Sequence, residues 1–422
     1  MSSSIPGGPR PLATVLRANW AAIALSQLLL ATLLLRLLWL SQPPDQLIFD
    51  EVYYVNAARV ILGWPLPAGA TYADAPAGLD PNTEHLPLAK LIIAGSMRLL
   101  GDNAYGWRLP SVLFGTATVG LLYLLVRRVG RREDVALFAA FILSFDNLVF
   151  VHSRIATLDI FMLFFLLLGV YFYARARPTL AGAALALAAL AKLNGIYGLG
   201  AIAAYEVLRF ASQPQRRAAL RAAGANLLLV FGSFLMVFLV VLWPLDRLWT
   251  GYTDPVDHLA HVYEYGVSLT AQEYPSSIES SPWQWLLNEV PIPYLRVNNT
   301  VTVDAKVVSS QSIVDFQGAM NPFVIAMLPL AVAYLLERAL RTREALPLLM
   351  LALFAATYLP SFAMAVLAHR ASYIFYFLPV LPALCTGIAY FLLDGRLSRA
   401  PALAYAATVV FGFLMMFPLH GT

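Results

Sequence analysis

Residues 20–51 read WAAIALSQLLLATLLLRLLWLSQPPDQLIFDE, an apolar run followed by a short polar turn and two adjacent carboxylates. The run at 20–40 has about twenty residues, enough to cross roughly 30 Å of hydrocarbon and more than the core of a cleavable signal peptide. We therefore predict a retained transmembrane helix that brings Asp50 and Glu51 to the membrane surface. Arg36, near the end of the run, is expected to extend its charge to the headgroups.

The composition is that of a polytopic membrane protein. Of 422 residues, 60% are hydrophobic and 12% are charged, and the mean hydropathy is +0.70, which excludes an ordinary soluble domain. The single cysteine, Cys385, excludes a disulfide framework and a cysteine-based zinc site. A net charge of +4 does not imply a nucleic-acid partner, because basic residues in such chains mark the loops that stay in the cytoplasm.

Hydropathy predicts about eleven transmembrane helices. They lie near residues 20–40, 109–125, 135–150, 155–173, 180–191, 195–208, 226–245, 322–336, 346–367, 373–392 and 402–418. The segment 85–100 is only about a dozen apolar residues long and is interrupted by Arg98, so we expect an interfacial helix that does not cross. With that count, the basic cluster at 127–132 lies in the cytoplasm and Asp50 lies outside.

On this topology the chain divides into four parts. They are a cytoplasmic tail 1–19, an N-terminal transmembrane catalytic module 20–245 that includes the external loop 43–108, an external lid loop 246–321, and C-terminal transmembrane helices 322–422. In the lid loop we predict a short strand pair near 301–303 and 306–308. Its aromatic residues are of a kind that more often marks the membrane interface than a ligand, namely Tyr274, Trp283, Trp285 and Tyr294.

Ionisable residues gather at or near the external helix ends. They are Asp50, Glu51, His85, Lys90, Arg108, His152, Arg154, Asp159, Lys192, His369 and Arg370. Charged groups at membrane depth usually mark a pathway or a site, and cations collected beside an acidic pair suggest an anionic ligand held next to a base. The alternative is structural, with Asp50 capping the following helix and the lone cations reaching the interface.

Several of these residues stand in motifs that resemble a known family. Asp50-Glu51 looks like the Asp-Glu motif of the dolichyl- or polyprenyl-phosphate-mannose protein O-mannosyltransferases, which are membrane glycosyltransferases with the GT-C fold. His85-Leu86-Pro87-Leu88-Ala89-Lys90 is similar to their His-Pro-Pro-Leu-Gly-Lys. Similar in kind and in the same order are residues 105–115, 153–159, 191–195, 281–285 and 370–382. The resemblance implies an all-α GT-C fold with interfacial helices in the first external loop.

Two departures from the family pattern concern the acceptor. The sequence His85-Leu86-Pro87 lacks the first proline of the motif, and the loop 246–321 is too short to hold the carbohydrate-binding MIR domain of the eukaryotic enzymes. The fold and the class of donor are little affected. The identity of the acceptor stays open.

The resemblance also implies a role for each site residue. Inverting transfer from a lipid-phosphate sugar requires a base for the acceptor hydroxyl and stabilisation of the departing phosphate. Asp50 is the expected base, and Glu51 either orients the neighbourhood of Asp50 or pairs with a cation. Arg108 and Lys192 are expected to hold the donor phosphate. Further site candidates are Arg370 as a third phosphate ligand, His85, Lys90, Arg154, Asp159 and His369.

The leading hypothesis is a polyprenyl-phosphate-mannose-dependent glycosyltransferase of the plasma membrane. It would transfer mannose, with inversion, to a Ser or Thr hydroxyl of an exported protein on the external face of the bilayer, with its N-terminus in the cytoplasm. The lipid-linked sugar is a substrate, so no cofactor is implied. The sequence shows no ligand spacing that demands a metal, and a requirement for a divalent cation stays open.

Two other functions are compatible with parts of the pattern. A GT-C enzyme of the same architecture could glycosylate a lipid or a cell-wall polymer. A transporter of lipid-linked sugars would place polar groups near the midplane on broken helices within inverted repeats, whereas here they gather on one face and no internal repeat is evident.

Overall fold

The computed structural model describes residues 19–212, 216–269, 278–303, 306–395 and 398–419. For residues 216–219, 300–303 and 306–311 the description is limited to the backbone. The predicted tail, apart from Asn19, and the aromatic residue Tyr274 lie outside the described residues.

Helices are the regular elements of the first half of the chain within the described residues. They are α1 Trp20–Leu37, α2 Glu51–Ile61, α3 Leu88–Leu100, α4 Ala104–Gly130, α5 Glu133–Ser144, α6 Asn147–His152, α7 Asp159–Ala174, α8 Pro178–Ala191, α9 Tyr197–Ala211 and α10 Arg216–Leu245. A 3₁₀ turn at Leu193–Ile196 joins α8 to α9, and a π turn at Asp246–Thr250 ends α10.

The second half combines helices with one β-hairpin. Its elements are α11 Pro255–Ser268, α12 Pro282–Trp285, β1 Ile292–Val303, β2 Lys306–Gly318, α13 Pro322–Ala326, α14 Leu328–Thr342, α15 Ala345–Leu367, a 3₁₀ segment Ile374–Val380, α16 Leu381–Leu392 and α17 Ala400–Met415. The strands pair antiparallel from Ile292 opposite Gly318 to Val303 opposite Lys306. The hairpin is therefore longer than the short strand pair predicted from the sequence.

Several helices are long and apolar enough to cross a membrane, as in a multi-pass membrane protein. Five have the required length and composition within the described ranges, namely Trp20–Leu37, Ala104–Gly130, Leu220–Thr250, Ala345–Leu367 and Ile374–Leu392. Three shorter apolar helices accompany them, Asp159–Ala174, Pro178–Ala191 and Ala400–Met415. The predicted count of eleven is not confirmed.

The predicted spans at 135–150 and 322–336 each contain a break in the helix. Asp146 interrupts the first, because its carboxylate accepts a hydrogen bond from the amide of Val149 and so caps a new helix, α6. In the second, Asn321 caps the five-residue α13, and α14 begins separately at Leu328. Hydropathy averages over such caps, which is why the sequence pattern indicated single helices.

The segment 85–100 forms the thirteen-residue helix α3. At about 1.5 Å per residue it is too short to cross roughly 30 Å of hydrocarbon. Gly101 ends the helix at φ +88°, and the chain turns directly into α4. Gly106 lies so close to this turn that a Cβ there would stand 2.1 Å from the carbonyl oxygen of Gly101. The start of α4 is thus held beside α3, as the non-crossing interpretation requires.

Arg36 does not extend to the headgroups. Its side chain is buried, and it donates to the carbonyl oxygens of Thr32 (3.4 Å) and Ser144 (3.5 Å). Arg154 approaches the same helix end and donates to the carbonyl oxygens of Leu35 and Trp39. Both arginines therefore compensate the partial negative charge at the C-terminus of α1, a favourable position for cations.

Close backbone packing holds α8 against α10. A Cβ at Gly182 of α8 would lie 2.2 Å from the carbonyl oxygen of Val230 and 2.8 Å from the amide nitrogen of Phe234. Both atoms belong to the backbone of α10, so neither can move aside like a flexible side chain. The two helices therefore pack at a distance that only glycine permits.

We expect Gly182→Ala to reduce the stability of the protein by about 1–3 kcal/mol, because the added methyl group separates two helices that pack through their backbones. Gly232→Ala on α10 is the matched control, since a Cβ there meets no atom within 4 Å. It should be neutral or slightly stabilising because alanine is the better helix former. Thermal unfolding in detergent checks both, and equal melting temperatures for the two variants would contradict the packing argument.

Candidate active site

Asp50 stands at the first turn of α2, after a residue in an unusual conformation. Phe49 has φ +54°, in the left-handed region that non-glycine residues rarely occupy. Its ring stacks on Tyr294 of β1 with centroids 4.0 Å apart and meets the edge of Phe375. Asp50 occupies the N-cap position, but its side chain makes no capping hydrogen bond. The structural alternative of a helix cap is therefore not realised, and the carboxylate is available for other chemistry.

Glu51 turns in the opposite direction, into the protein interior. It is 0% exposed, and Arg108 of α4, which is 1% exposed, grips it with two hydrogen bonds, from Nε to Oε1 at 2.9 Å and from Nη2 to Oε2 at 2.8 Å. The amide groups of Ile48 (2.7 Å) and Ala156 (2.8 Å) donate to the same carboxylate. Four charge-assisted hydrogen bonds fix Glu51 in place.

The remaining donors of Arg108 also have partners. Its Nη1 donates to the carbonyl oxygen of Leu40 at 3.0 Å, and Nη2 donates to that of Gln46 at 2.7 Å. A longer contact of 3.5 Å runs from Nη1 to the carbonyl oxygen of Gln42. The guanidinium thus joins the turn after α1 to α2 and α4, and no donor is left for a phosphate. This differs from the role expected of Arg108 as a donor ligand.

Three other candidates also lie away from the cavity described below. Lys90 is buried and binds the carboxylate of Asp80 at 2.6 Å and the carbonyl oxygen of His85 at 2.7 Å. Arg154 is buried against the end of α1. His369 is exposed, with φ +47°, and does not line the cavity. Lys90 and Arg154 therefore hold backbone in place, and the roles expected of them as direct site residues have no support in their contacts.

A cavity of about 620 Å³ brings the other candidates together. Asp50, His85, Lys192 and Arg370 all line it, although they come from four separate stretches of the chain. Aromatic side chains form much of its wall, among them Tyr53, Tyr54, Tyr265, Tyr373, Phe375 and Tyr376. The volume is in the range of small-molecule binding sites.

Lys192 is held at the cavity by Asp159. Its ammonium lies 2.7 Å from Asp159 Oδ1, and it also stands over the rings of Phe375 (4.8 Å) and Tyr376 (5.5 Å). Asp159 provides the one hydrogen bond that the described residues give to this ammonium. Two N–H donors therefore remain for a ligand, and Asp159 serves as the positioning partner of Lys192.

Arg370 supplies a second cation. Among the residues that the structure describes it has no carboxylate partner, and its Nε is buried without a hydrogen bond. Its guanidinium runs beside α11, since a Cβ at Gly266 would lie 3.3 Å from Nη1. An unpaired guanidinium that lines a cavity is an expected ligand for a phosphate or carboxylate group.

The cavity alters the acidity of two of its groups. Desolvation raises the pKa of Asp50 to about 7, with Lys192 opposing the rise and Asp159 adding to it. Desolvation lowers the pKa of His85 well below its usual range, and the cations of Lys192, Lys90 and Arg370 lower it further. Near neutral pH the site therefore holds a carboxylate that can accept a proton and an uncharged imidazole.

His152 connects the site to the hairpin. Its Nε2 lies 2.9 Å from the hydroxyl of Tyr294, and its Nδ1 lies 3.1 Å from Thr157 Oγ1 and 3.8 Å from Asp159 Oδ2. Tyr294 also stacks on Phe49, the residue before Asp50. The segment predicted to be a lid therefore contacts the residue whose backbone conformation positions Asp50. The sequence pattern favours an interface position for Tyr294, whereas in the structure this residue is buried beside the site.

Sequence reasoning missed several residues of the cavity wall. Glu84 lies next to the predicted His85 and accepts a hydrogen bond from Asn82 at 2.6 Å. Tyr53 and Tyr54 follow the acidic pair after Val52 and could have been selected by that proximity, whereas Tyr265 on α11 carries no sequence signal. In the described part of the chain, no group of three or more His, Cys, Asp or Glu is placed to hold a metal ion.

The architecture is the GT-C fold of membrane glycosyltransferases. The chain matches the Saccharomyces cerevisiae protein O-mannosyltransferase Pmt1-Pmt2 complex bound to the sugar donor with a TM-score of 0.71 at 13% identity, over 94% of this chain and 90% of that chain. ArnT from Cupriavidus metallidurans bound to undecaprenyl phosphate matches with a TM-score of 0.51 at 17% identity, over 94% of this chain and 71% of that chain. These likenesses confirm the predicted fold.

Sequence comparison points to one branch of that class. Residues 87–219 match the family model of dolichyl-phosphate-mannose-protein mannosyltransferases. The polyprenol-phosphate-mannose–protein mannosyltransferase of Mycobacterium tuberculosis is 35% identical over 119 residues, which are 28% of this chain and 21% of the relative. The match therefore spans about a fifth of the relative's length. The resemblance drawn from the sequence motifs is confirmed for this segment.

The buried ion pair predicts that Arg108 acts on stability. Arg108→Ala leaves Glu51 buried without its counter-charge, which we expect to cost about 3–5 kcal/mol in the free energy of unfolding. A double-mutant cycle with Glu51→Gln should show strong coupling, because the two single changes remove the same contact. Denaturation in detergent measures the cost. An Arg108→Ala protein as stable as the wild type, with weakened donor binding, would restore Arg108 as a phosphate ligand.

Proposed function

We propose that the protein is a polyprenyl-phosphate-mannose-dependent protein O-mannosyltransferase. The observation that carries the proposal is the cavity lined by Asp50, which makes no capping hydrogen bond, together with Lys192 and Arg370. A carboxylate beside cations that retain free donors is the arrangement that glycosyl transfer from a phosphate donor requires. The names of the similar proteins support the choice of mannose and of a protein acceptor.

In this mechanism Asp50 is the base. Its carboxylate takes the proton from a Ser or Thr hydroxyl while the hydroxyl oxygen forms a bond to the anomeric carbon of the mannosyl group. The bond from that carbon to the phosphate oxygen breaks, and its electron pair leaves with polyprenyl phosphate. A single displacement of this kind inverts the anomeric configuration. The protonated Asp50 then returns its proton to water.

Lys192 and Arg370 stabilise the departing phosphate, on which negative charge grows as the bond to the sugar breaks. This contact strengthens in the transition state and therefore accelerates the reaction as well as binding the donor. Arg108 is not included among these phosphate ligands, because its guanidinium is paired with Glu51. Glu51 acts by fixing the start of α2. The rings of Tyr53, Tyr265 and Tyr376 offer apolar faces for the sugar.

The acceptor distinguishes this proposal from its alternative. The fold shared with ArnT is compatible with a lipid or polymer acceptor, whereas the family match at 87–219 and the higher TM-score favour a protein. Purified enzyme offered polyprenyl-phosphate-mannose with a Ser/Thr-rich peptide, a lipid fraction or a cell-wall glycan should transfer mannose to the peptide. Transfer to the lipid fraction alone or to the glycan alone would contradict the protein acceptor and leave the proposed donor unchanged.

Asp50→Asn should reduce turnover by about 10²–10⁴-fold, because it keeps the shape of the side chain and removes the base. Glu84→Gln, in the same cavity, is the matched control and should retain turnover within about tenfold, because its carboxylate is already bonded to Asn82. In the wild type, kcat/KM should increase with pH and then level off, with the midpoint of the rise at about pH 7, since only deprotonated Asp50 accepts the proton. A larger loss in Glu84→Gln than in Asp50→Asn would move the base to Glu84.

We also propose that the Asp50 cavity faces the outside of the plasma membrane. Tyr105, at the first turn of α4 and 50% exposed, and Thr179, at the first turn of α8 and exposed, lie near opposite ends of the bundle. In a Cys385→Ser background, a cysteine at 105 should react with a membrane-impermeant maleimide on intact cells, and a cysteine at 179 should be protected. The reverse pattern would place the active site in the cytoplasm.

A further inference from the structure

A second cavity, of about 270 Å³, lies at the far end of α4 from Arg108. It is lined by Arg128 and Arg131, which are twenty or more residues further along that helix. At about 1.5 Å per residue they stand roughly 30 Å from the Glu51–Arg108 pair, the thickness of the hydrocarbon core. The two cavities therefore open near opposite faces of the membrane.

The lining of this second cavity has an excess of positive charge. Arg209 is neutralised, because its Nη2 lies 2.7 Å from Glu206 Oε2, and Tyr173 donates a hydrogen bond to the other oxygen of the same carboxylate. Arg128 donates from Nε to the carbonyl oxygen of Ala174 at 3.1 Å, which orients the guanidinium without neutralising it. Two positive charges remain, those of Arg128 and Arg131.

The neighbouring arginines show that this excess is local. Arg127 pairs with Glu133 at 2.9 Å, and Arg132 pairs with Asp134 at 2.6 Å. Within the described ranges, the two arginines of the 127–132 cluster that line the cavity are the two without a carboxylate partner. Within this cluster, the two arginines outside the cavity each have an acidic partner, and the described residues provide none to the two that line it.

Aliphatic side chains form part of the cavity wall, among them Val129, Val170 and Leu349. A soluble anion would gain nothing from such a wall, whereas a phospholipid presents a charged phosphodiester directly above its glycerol and acyl chains. We propose that this cavity binds the phosphodiester headgroup of an anionic phospholipid from the leaflet opposite the Asp50 cavity. Arg128 and Arg131 hold the phosphate, and the acyl chains follow the apolar helix surfaces into the bilayer.

The test is lipid retention measured by native mass spectrometry. Wild-type protein purified from bilayers of phosphatidylcholine and phosphatidylglycerol should retain one phosphatidylglycerol, and Arg128→Gln/Arg131→Gln should retain about tenfold less, a loss of about 1.4 kcal/mol of binding free energy. Arg127→Gln is the matched control, since it removes one charge from the same helix end outside the cavity and should retain the lipid. Inorganic phosphate at millimolar concentration should not displace the lipid.

Any of three results would overturn the proposal. Equal loss of phosphatidylglycerol in Arg127→Gln and in the cavity variant would show diffuse attraction to the basic cluster. Displacement by inorganic phosphate would make the site one for a free anion. If the double variant does not fold, Arg131→Gln decides alone, because its side chain makes no hydrogen bond in the described part of the chain. Full retention of the lipid in that variant would equally contradict the proposal.

Discussion

The buried ion pair between Glu51 and Arg108 is the contact on which the site depends. Two charged side chains that are 0% and 1% exposed are tolerated only because the carboxylate oxygens of Glu51 and the N–H groups of Arg108 have hydrogen-bond partners. Arg108 donates to carbonyl groups of the turn after α1. Glu51 accepts hydrogen bonds from the amide of Ile48, just before α2, and from that of Ala156, just before α7. The pair therefore fixes where α2 begins, and Asp50, one residue earlier, takes its position from that constraint.

Four of the cations selected as site candidates fall into two groups with different partners. Arg154 and Lys90 are buried, and their donors go to backbone carbonyls or to a carboxylate in the interior. Lys192 and Arg370 line the cavity and keep donors for a ligand. Position at a helix end did not separate these groups in the sequence. The difference lies in the partners that each side chain meets after folding, and these come from distant parts of the chain.

The sequence predicted the fold class and part of the site for physical reasons that can be named. Apolar length and charge asymmetry indicate membrane helices, and the short apolar run at 85–100 indicated a helix that does not cross. Asp50 and Lys192 were selected because ionisable groups are rare at this depth. A local motif around Arg108 does not show that the carboxylate of Glu51 pairs with its guanidinium. Tyr265 was missed because no motif or spacing in α11 indicated that this helix borders the cavity.

We propose that the donor phosphate lies between Lys192 and Arg370, with the anomeric carbon facing Asp50. A cryo-electron microscopy structure of the wild-type protein with a non-hydrolysable polyprenyl-phosphate-mannose analogue tests this placement directly. We expect phosphate oxygens within hydrogen-bonding distance of Lys192 Nζ and the Arg370 guanidinium, while Arg108 keeps its bonds to Glu51. A phosphate bound to Arg108, or one seated outside the Asp50 cavity, would contradict it.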